Sequence, residues 1–458
     1  MLHLSKDKRV FNICLIIVLG FMFLTMYYAD LTVTSQFSMT LLDSLFDGKY
    51  ASFYNNCLAT GVAPEGAVYD VGIYIVFAIL GLPVWILTKV TQISVLSVGC
   101  QLWFKLIILA FFLLEIKLTV DIATKAGIVS ERSTEELSYL LLLSQLAVFP
   151  VLVSAQYDVI PLCLFLLGIR FMQEDKKYPG ILAFGFSITM KPIVLIGIAG
   201  VILFKEKNIL KILASVALCF IPEFICKLIY FLNPNNTASN NDFFNDLMPR
   251  LFSTSILTES SGISIFVLGL VIVYAGVYLC KRSEFGILLL SQFAIWSVFT
   301  VFANPYPYWT IYLSPFITLM IFMAPKKKNI ISVFALITEL CLTVAMILNY
   351  SWVYGGKKTF GYLVLSSIYN NTNPDNIATV AGALRLFKAD SFLPAFNAVA
   401  LGGLISIACV ATYGYKHHDD VQTEDTSEVL HEANLWIRLA VYAGMILICM
   451  FCLVRGIQ

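Results

Sequence analysis

The sequence predicts an all-α polytopic membrane protein, and three observations carry that prediction. Hydrophobic residues make up 59% of the chain and charged residues 13%, whereas a soluble domain is roughly half apolar and a quarter charged. The mean hydropathy is +0.83. Apolar runs of membrane length, about 20 residues, recur from end to end, and Lys and Arg gather in the short stretches between them. A net charge of +1 offers no basic surface for nucleic acid. Most of the 11 cysteines lie in apolar runs, as at Cys14, Cys100, Cys163, Cys219 and Cys449, and act there as small apolar residues. No pair has metal-site spacing, so neither a zinc site nor a disulfide framework is inferred.

The first run, 10–28, follows Lys6, Lys8 and Arg9. No small-residue cleavage site follows it, so it reads as a retained helix rather than a removed signal. Further runs lie at 71–88, 101–120, 139–155, 159–173, 179–204, 209–232, 263–280, 285–303, 308–324, 329–350, 393–415 and 436–454. The segment 179–204 carries Lys191-Pro192 at its middle. Proline breaks a helix and lysine avoids the bilayer centre, so two short helices with Lys191 at the bend are expected.

Charge sets the orientation. Basic clusters occur at Lys6/Lys8/Arg9, Lys125/Arg132, Lys176/Lys177, Lys205/Lys207/Lys211, Lys281/Arg282, Lys326/Lys327/Lys328 and Lys416, and such clusters favour the cytoplasmic side. All fall inside if 71–88 lies flat in the outer interface instead of crossing. Pro83 is read as interrupting that run, and Gly72 and Gly81 weaken it. The expected architecture is about thirteen spanning helices, with the N-terminus inside and the C-terminus outside. A large first outer loop, 29–100, would carry two juxtamembrane helices. Further outer loops are expected at 233–262 and 351–392, and a solvated inner linker at 416–434 with His417 and His418.

This topology brings several polar groups to the outer face. Asp30 follows the first span, where an acid beside hydrocarbon invites a functional reading. Gln156-Tyr157-Asp158 forms a sharp turn, Lys191 sits at its bend, Lys105 lies near the outer end of a span, and Asn304-Pro-Tyr306-Pro-Tyr308-Trp309 makes another turn. Each has a plainer reading. Asp30 is also a solvated helix end, Asp158 a helix cap, Lys191 and Lys105 snorkelling amines, and Tyr306 and Tyr308 members of an aromatic belt. Glu223 and Lys227 stand four apart on one helix and suit a simple pair; Glu339 stands mid-helix with no obvious partner. A surface carboxylate can act as general base on a hydroxyl, and interfacial amines can hold a departing phosphate. That set suits glycosyl transfer from a polyprenyl-phosphate sugar. No phosphate-binding glycine loop is present, and no nucleotide-sugar donor is implied.

Over residues 10–205 the pattern resembles the GT-C superfamily of integral-membrane glycosyltransferases, in the branch of glycosylphosphatidylinositol mannosyltransferase I and bacterial lipid-linked mannosyl or glucosyl transferases. Asp30 matches the acid opening the large outer loop. Leu45-Phe46-Asp47-Gly48-Lys49-Tyr50 looks like the family's small-helix-then-glycine stretch before a tyrosine, and Tyr69 with 71–88 like the second juxtamembrane helix. Lys105 falls where relatives open the next span with a basic residue. Pro150 with Ser154-Ala155-Gln156-Tyr157-Asp158 looks like their polar turn, with Ala155 where glycine is common. Met190-Lys191-Pro192 matches their lysine after a short helix. Asp30-Leu31-Thr32 lacks the second acid of several relatives, so a divalent metal is not supported. The resemblance implies a catalytic module at 1–205 and a variable membrane module at 206–458. It implies an inverting transfer of a hexose, mannose or glucose, to an acceptor hydroxyl on a glycan, glycolipid or protein. Asp30 would be the base, Lys191 and Lys105 would hold the donor phosphate, and Gln156, Tyr157, Asp158, Asp47, Tyr69, Tyr306 and Tyr308 would line the substrates.

The chain is read as a bacterial plasma-membrane protein in preference to one of the endoplasmic reticulum. Asn235, Asn349 and Asn370 nevertheless head Asn-x-Ser/Thr triplets, a pattern common by chance. A transporter or lipid flippase is the alternative from another class, although no internal repeat of the kind transporters carry is found. An acyltransferase would be expected to offer a histidine at the outer face, and all four histidines (His3, His417, His418 and His431) are predicted inside.

Overall fold

The computed structural model describes residues 6–26, 30–63, 66–231, 262–282, 284–350, 380–416, 430 and 432–455, with fragments at 249, 252 and 255–256. The polar stretch 233–246, most of the outer loops 233–262 and 351–392, the linker histidines, and the triplets at Asn235 and Asn370 lie outside the described residues.

What is described is almost wholly helical. Six helices are long and apolar enough to cross a membrane, or seven if the bent pair within 131–153 is one span. Shorter apolar helices add to these, including Val159–Gln173 and Ile265–Leu279. The chain forms two compact units, 1–29 with 128–156 and 306–458, and 30–127 with 157–305. They interleave along the sequence.

In the first unit, α1 (Lys6–Thr25) packs on the C-terminal helix Glu432–Arg455. The helices Lys328–Asn349 and Leu393–Lys416 form its most extensive pairing. Gly403 permits their approach, because a Cβ there would meet the Thr338 hydroxyl at 2.0 Å. Glu339, expected to stand alone mid-helix, has partners after all. Its carboxylate is 3.3 Å from Arg438 and accepts from the Ser144 hydroxyl at 2.9 Å and the Gln145 N–H at 2.8 Å. Both ions of this pair are about 1% exposed.

The second unit begins with α2 (Asp30–Phe46), followed by α3 (Phe53–Ala59) and α4 (Val71–Thr91). The expected outer loop is therefore mostly helix, and α2 packs along α4. Trp85 donates to Asp43 at 2.7 Å across that contact. Pro83 does not interrupt the run as expected: α4 continues through it for 21 residues. Proline removes one hydrogen bond, and the other bonds of a long apolar helix carry the structure past it. Its length and apolarity suit crossing a membrane.

The unit continues with α5 (Val98–Lys125), α8 (Val159–Gln173), α9 (Lys177–Ile188), α10 (Leu195–Lys205), α11 (Ile209–Cys219) and α12 (Ile221–Phe231); α6 (Thr134–Leu142) and α7 (Gln145–Val148) intervene in sequence and belong to the first unit. As expected, 179–204 is two helices broken around Lys191. Gly168 on α8 lets α9 sit close, since a Cβ there would overlap the Phe184 ring at 2.2 Å. The Ser187 hydroxyl donates to the Pro161 carbonyl at 2.6 Å and ties the same two helices together.

Candidate functional site

The site is built around Lys191, in the break between α9 and α10. Its backbone is extended, at φ −154 and ψ 100. Pro192 imposes this, because the ring of a proline clashes with a helical conformation in the residue before it. The side chain therefore leaves the helix line and enters the protein, where the residue is only 2% exposed. That burial excludes snorkelling for Lys191.

Three groups surround the ammonium. Asp158 Oδ1 lies 3.3 Å away, and Nζ donates to the Tyr157 hydroxyl at 3.2 Å. The Tyr69 and Tyr157 rings lie 4.4 and 4.7 Å from it, centroid to Nζ, within cation–π range. The two rings meet edge to face at 5.4 Å. Tyr69 is fixed in turn by Tyr54, whose hydroxyl donates to the Tyr69 carbonyl at 3.2 Å.

Asp158 stands at the N-cap of α8 but makes no cap hydrogen bond. Its carboxylate is fully buried and faces Lys191 instead, so the capping alternative fails. Burial pushes the Asp158 carboxyl up to about 6, the Lys191 charge opposes that rise, and Asp30 adds to it. The same physics acts on Lys191 with reversed sign: burial lowers it, while Asp158 and Asp30 hold it up. Tyr69 is raised by burial and by Asp30 and Asp158. Asp30, the first residue of α2 and partly exposed, thus acts on Tyr69, Asp158 and Lys191 together. A carboxylate at a helix N-terminus is also favoured by the helix dipole, and the two roles are compatible.

Two local features fix the turn and the break. Ala155, just before the turn, has φ +50, the left-handed region that favours glycine. Gly72, in the first turn of α4, touches Thr189 so closely that a Cβ would lie 2.4 Å from its hydroxyl and 2.8 Å from its carbonyl oxygen. The start of α4 is thereby set against the segment that presents Lys191.

Among the predicted site residues, Asp30, Tyr69, Tyr157, Asp158 and Lys191 converge. Asp47 does not. It is exposed, just beyond the C-terminal end of α2, and 17 helical residues at 1.5 Å each put it about 25 Å from Asp30. Lys105 is fully buried on α5, so it does not snorkel, and it is not among the charges acting on Lys191 or Asp158. Gln156, Tyr306 and Tyr308 belong to the first unit. There Tyr306 and Tyr308 are buried and stacked at 5.6 Å, with Trp309 edge-on to Tyr306. Such packing supports a core role and does not match an exposed belt. Asp70, a polar residue of the first loop to which the sequence assigns no role, is a buried acid that shares Lys227 with Glu223; its place directly after Tyr69 is the signal in the sequence. Among the described residues, no three His, Cys, Asp or Glu side chains group as metal ligands.

No family model, curated protein or solved structure matches this chain.

Proposed function

We propose that this membrane protein is a glycosyltransferase that moves a hexose, mannose or glucose, from a polyprenyl-phosphate sugar to an acceptor hydroxyl on the outer or luminal face. One observation supports this above the rest: a fully buried amine, Lys191, is paired with Asp158 and flanked by two tyrosine rings, and the Asp30 carboxylate acts on the same cluster.

In this reading Asp30 takes the proton of the acceptor hydroxyl, and the hydroxyl oxygen attacks the anomeric carbon. The bond from that carbon to the phosphate oxygen breaks, giving inversion in one displacement. The polyprenyl phosphate leaves with added negative charge, which Lys191 stabilises. Asp158 occupies Lys191 in the free protein. Its carboxyl is already pushed up to about 6, so an approaching phosphate raises it further and it takes a proton, leaving the ammonium to the phosphate. Tyr69 and Tyr157 keep water from the exchange and offer faces on which a sugar ring can rest.

Labelled polyprenyl-phosphate mannose and glucose, offered to the protein in proteoliposomes, test this. One of them should lose its sugar to an acceptor. Asp30→Asn should abolish transfer with folding and donor binding retained, and normal turnover in that variant would remove Asp30 as the base. Movement of an intact donor across the bilayer, without chemical change, would instead support a transporter or flippase. The buried Glu339–Arg438 pair has the placement a transporter would use, but its carboxylate is already held by Ser144 and Gln145, which suits a fixed structural lock.

A further inference from the structure

A second cluster lies where α12 meets the start of α4, outside the proposed chemistry. Asp70 precedes α4 and Glu223 lies in the first turn of α12. Both residues are more than nine-tenths buried, at 7% and 6% exposure, and both carboxylates face the same Lys227 ammonium. Asp70 stands at the N-cap of α4 yet makes no cap bond. Among the described residues, no donor reaches Asp70 Oδ1 or Glu223 Oε2.

Among the described residues, one cation serves this pair. Lys227 lies 2.8 Å from Glu223 Oε1 and 4.0 Å from Asp70 Oδ1. Two ionised carboxylates beside one ammonium would leave a net negative charge in a buried place, with two oxygens lacking donors. Such a charge is costly unless it is neutralised. The other titratable groups acting there, Tyr74 on α4 and Cys226 on α12, carry no positive charge.

We propose that Asp70 and Glu223 share one bound proton, and that this proton fastens α12 to the start of α4. The proton sits on one carboxyl and is donated to the other, which satisfies an orphaned oxygen and brings the cluster to neutrality with Lys227. Burial and the Glu223 charge raise the Asp70 carboxyl to about 7, and Lys227 opposes the rise. The clasp is therefore closed in mildly acid surroundings and opens as pH rises past neutrality. Because Asp70 follows Tyr69 directly, its release loosens the backbone that holds Tyr69 over Lys191. The proposal concerns proton binding and stands whether or not the chain transfers sugars.

Infrared spectroscopy of the full-length protein in lipid nanodiscs tests it, comparing spectra in H2O and D2O across pH. The wild type should show protonated-carboxyl absorption that is lost between about pH 6 and about pH 8, and Asp70→Asn should remove the part of that loss centred near pH 7, leaving the part that Asp158 contributes near pH 6. Glu223→Gln keeps a hydrogen-bonding partner but removes the like charge, so the transition should move down by about one pH unit or more, a tenfold change in proton affinity. A wild-type spectrum with no such loss overturns the proposal. So does an unchanged loss in Asp70→Asn, or an unchanged midpoint in Glu223→Gln.

Discussion

Replacing Lys191 by methionine removes the site's ammonium while keeping a long side chain between the Tyr69 and Tyr157 rings, where sulfur–aromatic contact substitutes for packing. At the observed 3.3 Å, the attraction to Asp158 is about 5 kcal/mol at an effective dielectric constant of about 20. The protein does not lose that much, because Asp158 has an escape. With its carboxyl at about 6, the ionised form is favoured at pH 7 by one unit, about 1.4 kcal/mol. Without Lys191 the carboxyl takes a proton instead of remaining a buried, unpaired charge.

The sign follows from linkage. The folded-state value lies above the unfolded one of about 3.9, so the folded protein holds the extra proton and loses stability as pH rises between about 4 and 6. In Lys191→Met the folded value climbs further and the loss continues beyond neutrality. The gap between variant and wild type should widen by about 3 kcal/mol from about pH 5 to about pH 8. Reversible unfolding in mixed micelles at the two pH values measures it. Equal gaps at both would refute the reasoning, as would a dependence that survives adding Asp158→Asn.

Gly72→Ala places a methyl group 2.4 Å from the Thr189 hydroxyl, so the Lys191 break must retreat by about 1 Å. Overpacking of this kind costs about 1–3 kcal/mol, and thermal stability should fall together with affinity for the proposed donor; unchanged values for both would show the contact to be loose. Ala155→Gly relieves a left-handed residue and should stabilise by about 0.5–1 kcal/mol in the same unfolding assay. Glu339→Ala strands Arg438 in the interior and should cost about 3–5 kcal/mol, whereas pairing it with Arg438→Met should recover much of that in a double-mutant cycle.

The parts of the site legible in sequence were those set by local rules. Lys191-Pro192 inside an apolar run signalled a break, and Asp158 between two apolar runs signalled a turn. Asp47 misled because 30–46 is rich in Ser, Thr and β-branched residues and reads as loop; packing along α4 makes it a helix, and the helix carries Asp47 away. Glu339 and Arg438 stand 99 residues apart, and no periodicity links partners at that range. Glu223 and Lys227, four apart, were read correctly as a pair, while Asp70 joined them from a distant element.

The extended backbone at Lys191 has a consequence for the growing chain. Pro192 excludes the helical conformation from its neighbour by a clash between adjacent residues, so the restriction exists before any partner helix has been made. As this segment leaves the ribosome and enters the bilayer, it arrives already divided, with a lysine at the division that is expensive to leave in hydrocarbon. That charge gains its partners only when the 69–70 stretch and the 157–158 turn, both synthesised earlier, pack against it. Assembly of the site then coincides with the burial of that charge.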